Sequence, residues 1–363
     1  MTFILPDYTP PDFNKQVFRD APVVLCKPVK QPGIAPENYH ATSVYPEYFN
    51  IEKDVWVLIS ESRMDCVVVK TPGGKLIVTE CRNLKAGDLV VCGRSENGRD
   101  GIFVHVKAFA FSDDREEKFA FRSHLTRETS FSIDYDRLYD LLEYDRVNGF
   151  ILWVLGPAVV FDHDSRDAFT ALIKKGFVHG MLAGNALATH DLEGSLFGTA
   201  LGQRLYSKQN AELGHYNHLD ALNIIRKTGS IKAAIQKDLI IDGVMRALIK
   251  DGIPYVLAGS IRDDGPMPEV IGDAYSAQDK MRELTRRATT VIALSTQLHA
   301  IATGNMTPSY KVEGENRVRP VFFYTVDMSE FAISKLADRG SLTARSILTN
   351  VQDFVVTVER GLR

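Results

Sequence analysis

The residues best suited to chemistry in this chain lie in short polar loops that follow apolar runs. In Tyr255-Val-Leu-Ala-Gly-Ser-Ile-Arg-Asp-Asp-Gly-Pro266 the run ends at Gly259, and Arg262, Asp263, Asp264 and Gly265 follow at once. An arginine fork can grip a carboxylate through two hydrogen bonds, and neighbouring aspartates can hold an ammonium group or a ribose diol. A surface turn with a local ion pair would look the same, and would contribute little to stability. Repetition separates the two readings. The same apolar run and polar loop recur several times along the chain, each with different side chains.

Gly156-Pro-Ala158 and Gly184-Asn-Ala186 each follow an apolar run. Small residues there let backbone amides and a helix amino terminus approach a phosphate or ribose. No GxGxxG fingerprint accompanies them, and glycine ends many strands for purely structural reasons. Gly214-His-Tyr-Asn-His218 offers two histidines for proton transfer or ligand hydrogen bonding. A metal site is not expected, because no matching carboxylate or HExxH context surrounds them. Asn217 is expected to cap the helix beginning at Leu219, and Ser230 the next short one. Ser295-Thr-Gln-Leu-His299 and Gly304-Asn-Met306 flank another short helix, with Ser295 as its expected cap. Asp327 closes a strand, where an acid can meet an adenosine ribose or cap a helix.

These loops need a scaffold, and the pattern of the chain supplies one. Up to about residue 50 the sequence is rich in proline and aromatics. Short β-type runs follow at Val55–Ile59, Asp65–Lys70, Lys75–Thr79, Asp88–Cys92 and Ile102–Val106. Turn chemistry such as Thr71-Pro-Gly-Gly74 separates them. From about residue 150 the rhythm becomes strand, loop, helix. Strands are expected near Phe150–Leu155, Gly180–Ala183, Tyr255–Ala258, Thr290–Leu294, Val321–Val326 and Arg345–Leu348. Parallel strands need crossover helices, so this alternation implies an α/β fold with a mainly parallel sheet. Ligands bind such sheets beyond the strand carboxyl ends. The expected organisation is a β-rich domain over residues 1–115, a connecting helical segment over 116–149, and an α/β domain over 150–363.

Composition excludes some functions. Of 363 residues, 45% are hydrophobic and 25% charged, and the net charge of −3 provides no overall basic field for nucleic acid. No apolar stretch is long enough to cross a bilayer, and no secretory signal is evident at the amino terminus. The four cysteines, Cys26, Cys66, Cys81 and Cys92, form no CxxC pair and read as free thiols. A reducing, cytoplasmic location is expected, and a symmetric homo-oligomer is common for α/β proteins of this size.

Several long motifs, in order, carry a resemblance. They are Leu182-Ala-Gly-Asn-Ala-Leu-Ala-Thr-His-Asp191, Leu196-Phe-Gly-Thr-Ala-Leu-Gly202, Gly214-His-Tyr-Asn-His-Leu219, Val256–Pro266, Leu294-Ser-Thr-Gln-Leu-His299, Gly304-Asn-Met306 and Leu336-Ala-Asp-Arg-Gly-Ser341. From about Pro36 onward the chain resembles the archaeal-type ornithine cyclodeaminases, also described as the LOR/SDH bifunctional-enzyme conserved-region family. That family includes the carboxyl-terminal part of cyanobacterial bifunctional arginine dihydrolase–ornithine cyclodeaminases. The motif order is also loosely similar to the NAD-binding fold of deoxyhypusine synthase.

The resemblance implies a Rossmann-like domain, NAD as cofactor, and conversion of the amino acid L-ornithine to L-proline and ammonia. Hydride would leave the substrate Cα and return to a cyclic imine, so net redox is zero and the cofactor must stay shielded from water. Asp263, Asp264, His215 and His299 are then the candidates for proton transfer. Arg262, Asn217 and His218 are the candidates for substrate binding, with Arg262 on the carboxylate. The cofactor would lie along Gly156, Pro157, Ala158, Gly184, Asn185, Ala186, Asp191, Gly259, Ser260, Ser295, Thr296, Asn305 and Asp327. The family pattern has arginine where this chain has Tyr216 and Asp220, which bears on recognition of an anionic group. Two other readings compete: an enzyme of the same fold acting on another amino acid or an opine-like imine, and a non-catalytic NAD-binding protein.

Overall fold

A computed structural model of the chain describes residues 3–110, 132–263, 265–314, 317–329 and 342–362. Asp264, the charged stretch 112–118 and the motif 336–341 lie outside the described residues.

The amino-terminal part is built from antiparallel sheets. One has the order Leu25–Pro28, Leu89–Cys92, Val67–Lys70, Leu76–Thr79, and a second the order Val55–Leu58, Glu47–Glu52, Ile102–Val104. Phe49, Val68, Val91 and Ile102 are fully buried between them. Tyr310 and Val318 join that same core. They come from a hairpin, Tyr310–Glu313 with Arg317–Pro320, whose charges at Lys311, Glu313, Arg317 and Arg319 differ from the composition of a core element. Its alternation explains the difference. Lys311 and Arg319 pair across one face, while Val312 and Val318 pair across the other. The four cysteines are free, and Cys66 and Cys92 are buried.

The carboxyl-terminal part holds a six-stranded sheet. Its strands are β1 (Ile151–Leu155), β2 (Gly180–Gly184), β3 (Tyr255–Ala258), β4 (Thr290–Leu294), β5 (Phe322–Asp327) and β6 (Thr343–Leu348). Every neighbouring pair is parallel, and the order is β3-β2-β1-β4-β5-β6. This is the doubly wound Rossmann order, in which the chain reverses direction across the sheet between β1 and β4. Burial on both faces explains the continuous apolar runs. Ile151, Trp153 and Leu155 enter one core, while Leu152 and Val154 enter the other. Trp153 keeps its indole N–H satisfied at 2.9 Å on the Phe177 carbonyl.

Helices cover both faces: α1 (Ser132–Asn148), α2 (His163–Lys174), α3 (Asn185–Phe197), α4 (Asn217–Thr228), α5 (Ile231–Gln236), α6 (Val244–Lys250), α7 (Ala274–Thr285), α8 (Gln297–Met306) and α9 (Val351–Gly361). Several start where a side chain caps the first turn. Asp162 accepts from the Ser165 amide, Ser230 from Ala233, Asp273 from Ser276 and Asn350 from Gln352. Two expected caps are corrected. Tyr216, not Asn217, precedes α4, and Asn217 is already helical, its amide turned to the Thr199 hydroxyl at 2.8 Å. Thr296 rather than Ser295 precedes α8, without a side-chain cap bond.

The two parts meet along a polar seam. Glu80 bonds Arg63 at 2.7 Å and lies 2.7 Å from Arg282 of α7, while Arg82 reaches Asp279 at 2.8 Å. The paired cations hold the Glu80 carboxyl down at about 2, against the opposing effect of burial. Deeper in, Asp145 of α1 is fully buried and accepts from Thr289, Thr290 and Arg319 at 2.6 to 3.0 Å. That cluster ties α1, the start of β4 and the Tyr310–Pro320 hairpin together. No helix among the described residues is long and apolar enough to cross a membrane.

Candidate functional site

The loops after β1, β2, β3 and β4 converge at the carboxyl ends of the strands. At the switch point Gly156 donates its amide to the Leu294 carbonyl at 2.8 Å. A β-carbon on Gly156 would come within 2.1 Å of the Ser295 carbonyl oxygen, so glycine alone allows this approach. Ser295 itself holds a left-handed φ of 46°. A non-glycine residue in that region stores strain, and such residues cluster at functional sites. Pro157 and Ala158 continue in a 3₁₀ turn, Pro157–Val160, where the missing proline N–H costs nothing.

Gly184 ends β2, and the space where its side chain would stand is taken by His299 of α8. A β-carbon there would lie 2.9 Å from His299 Cε1. Burial lowers the pKa of His299, with Asp263 acting weakly in the opposite sense. The ring is therefore neutral near pH 7 and able to accept a proton. Asp263 turns back to accept from the Ser260 amide at 2.7 Å, and the Arg262 amide donates to Ser260 Oγ at 3.1 Å. That compact turn leaves the Arg262 side chain exposed at the rim. Gly259 is bonded to the Ile271 carbonyl at 2.9 Å, which fixes the exit from β3.

The remaining sequence candidates divide by position. Asn185 opens α3, is nearly buried, and accepts from the Met267 amide at 3.1 Å; Ala186 follows it on the helix. Thr296 stands beside Ser295. Asp327 ends β5, and its carboxylate accepts from the Ser329 amide at 2.9 Å. His215 is exposed on the 3₁₀ turn Gly214–Tyr216 against the Tyr216 ring, and His218 is half-buried on α4. Two candidates lie away from the strand-end loops. Asn305 sits near the far end of α8 and lines a cleft of about 310 Å³ with Met64, Glu80 and Arg282. Asp191 is completely buried, bonded to Arg166 Nε at 2.7 Å and to the Val244 and Met245 amides at 3.0 and 2.8 Å. Its carboxylate thereby caps α6.

Sequence reasoning assigned no role to His190 and Glu193, one helical turn apart on α3. Glu193 is fully buried and bonded to His190 Nδ1 at 2.9 Å. It also accepts from the Thr199 hydroxyl at 2.8 Å and from the Leu201 and Gly202 amides at 3.1 and 2.9 Å. The His190 ring meets Phe161 edge-on, with centroids 5.2 Å apart, and lies 6.4 Å from His218. The i,i+3 spacing of a histidine and a carboxylate was the signal available in the sequence. Among the described residues no cluster of histidine, cysteine and carboxylates has the arrangement of a metal site.

Residues 138–358 match the model of a family described as arginine dihydrolase ArgZ-like, C-terminal, Rossmann fold. The chain is 36% identical over 350 residues to an ornithine cyclodeaminase of Methanopyrus kandleri, covering 94% of this chain and 78% of that protein. It is similar in structure to an LOR/SDH protein of Methanococcus maripaludis, with TM-score 0.84, 34% identity, and coverage of 94% and 98% of the two chains. AgrE, solved as a ternary complex with ornithine and NAD+, is similar with TM-score 0.58 and 28% identity. That likeness spans 94% of this chain and 46% of AgrE.

Proposed function

From a chain that belongs to the archaeal-type ornithine cyclodeaminase family, we propose an NAD-dependent cyclodeaminase that converts L-ornithine to L-proline and ammonia. The observation that carries the proposal is the convergence of His299, Asp263 and bare glycine backbone on the crevice of a Rossmann-order sheet.

The strand order supports a dinucleotide in the crevice beyond the strand carboxyl ends. At the switch point Gly156 lets the backbone of the strained Ser295 close against it, drawing the loops after β1 and β4 together. Gly156, Pro157, Ala158, Gly184, Asn185, Gly259, Ser260, Ser295 and Thr296 would line the cofactor. NAD+, when bound, would accept a hydride from the substrate Cα and later return it. Arg262, exposed and free to reorient at the rim, would clamp the substrate carboxylate. Held so, the α-amino end would lie beside the loop after β3. An ammonium group carries no lone pair, so its proton must leave before the Cα–H bond can be oxidised. The neutral His299 would take that proton, and Asp263 would stabilise the resulting imidazolium. The relative AgrE, solved with ornithine and NAD+, supports this choice of ligands.

Purified protein supplied with NAD+ and L-ornithine tests the proposal. Proline and ammonia without net NADH are expected. Steady NADH release would instead identify a dehydrogenase of the same fold, and tight NAD binding without turnover a binding protein.

A further inference from the structure

Cyclisation requires a second deprotonation, because the distal ammonium must also become a nucleophilic amine. We propose that His190 takes that proton through Nε2, with Glu193 as its positioning residue. The inference rests on reading the crevice as a diamino-acid site.

Glu193 does not need His190 in order to be satisfied. The Thr199 hydroxyl and the Leu201 and Gly202 amides already bind its carboxylate and hold the loop that follows α3. Glu193 is acidic beyond the usual range despite its burial, because His190, Gly202 and Thr199 favour the charged form. A buried carboxylate on Nδ1 fixes the tautomer, so Nδ1 carries the hydrogen and Nε2 presents a lone pair. The bond that His190 makes among the described residues is the one from Nδ1 to Glu193, and its side chain is 10% exposed. Nδ1 is committed to Glu193, so Nε2 is the nitrogen left to take a proton.

Its surroundings point to the distal end of the substrate. Phe161, just past the loop after β1, packs its ring against His190, and His218 approaches from α4. The loop after β3 meets α3 elsewhere, where the Met267 amide bonds Asn185 at the start of the helix. A substrate held by Arg262 beside β3 would extend its side chain toward the Phe161, His190 and His218 wall. In the step, one N–H bond of the distal ammonium breaks and its electron pair remains on nitrogen. The proton joins Nε2, and the imidazolium charge is offset by Glu193. Among the described residues, the titratable groups shown against His190 are Glu193 on its own helix and His218 on α4. Arg166 and Asp191 satisfy each other on the side of α3 turned toward α2 and α6.

The test is a single turnover of L-ornithine with NAD+, followed at 340 nm and by proline assay. The variants are His190→Gln, whose amide can still reach Glu193, and His190→Ala, with added imidazole. NAD binding by fluorescence checks that each variant is folded. His190→Gln is expected to form NADH that is not reconsumed, with proline formation slowed about 10²- to 10⁴-fold. Imidazole is expected to restore part of the proline yield in His190→Ala. Proline formation at the wild-type rate in His190→Gln would overturn the assignment. So would parallel loss of NADH and proline without imidazole rescue, which marks a structural role. If the unaltered protein forms neither NADH nor proline from L-ornithine, the functional reading itself fails and takes this one with it.

Discussion

The imidazole of His299 occupies the space that a side chain at position 184 would need, its Cε1 lying 2.9 Å from where a β-carbon on Gly184 would stand. The close fit couples the end of β2 to the start of α8 across the crevice. Gly184→Ala is therefore expected to displace the ring more than it unsettles the fold. Overpacking of this kind costs about 1–3 kcal/mol, while misplacing a reacting group by about 1 Å can cost about 100-fold in rate. Turnover measured beside thermal unfolding checks this. A variant that loses stability and activity in proportion would count against a catalytic His299.

Gly156 makes a harder contact, because backbone rather than a flexible side chain opposes it. Gly156→Ala would bring a methyl group to 2.1 Å from the Ser295 carbonyl, forcing β1 and β4 apart at the switch point. Loss of NAD binding by at least about tenfold is expected, with destabilisation of about 1–3 kcal/mol. Titration with NAD+ and denaturant unfolding measure the two effects separately. Unchanged affinity would place the cofactor elsewhere.

Asp191 was expected from sequence to meet the cofactor, and its placement predicts a different phenotype. Its carboxylate holds the buried Arg166 and two amides of α6. Asp191→Ala leaves that guanidinium with Asp242, whose side chain is 56% exposed, as its remaining ion-pair partner. Removing one member of a buried pair costs about 3–5 kcal/mol. Urea unfolding should show that loss. Weakened NAD binding at full stability would instead restore the cofactor role.

His179 gives the fold a pH dependence of known sign. Its Nδ1 accepts the Ile151 amide at 2.9 Å, which requires the neutral ring, and burial lowers its pKa. The unfolded chain then binds more protons than the native one below the ordinary value of about 6.5. Stability should fall as pH drops through that value toward the lower native pKa, and level off beneath it. Glutamine can accept the same bond without titrating. The difference in unfolding free energy between wild type and His179→Gln should thus change between pH 7 and 5, and a constant difference would contradict the assignment.

Much of the fold was legible because buried parallel strands announce themselves as apolar runs. Tyr255–Ala258 and Thr290–Leu294 match the observed β3 and β4 residue for residue. The Tyr310–Pro320 hairpin was not legible, since its charged face hides Tyr310 and Val318, which pack into a core formed by residues far away in the chain. The positions of the candidate residues were partly legible for the same reason. Loops at strand ends can be read locally, and they brought His299, Asp263 and Gly156 into view. His190 lies inside a helix, and its meaning depends on Glu193 being buried and on Phe161 and His218 arriving from other elements. No local pattern conveys that. The burial of Asp191 was not legible either, because a polar residue in a polar motif gave no sign that Arg166 would enclose it.

Return of the hydride to the carbon it left distinguishes the proposed reaction from an ordinary dehydrogenation. Incubation of the purified protein with NAD+ and L-ornithine labelled with deuterium at Cα tests it most directly. Proline that retains the label, ammonia in equal amount and no net NADH are expected, since in the proposed reaction the hydride would leave and return within one site. Proline without the label, or NADH accumulating in step with substrate loss, would contradict it.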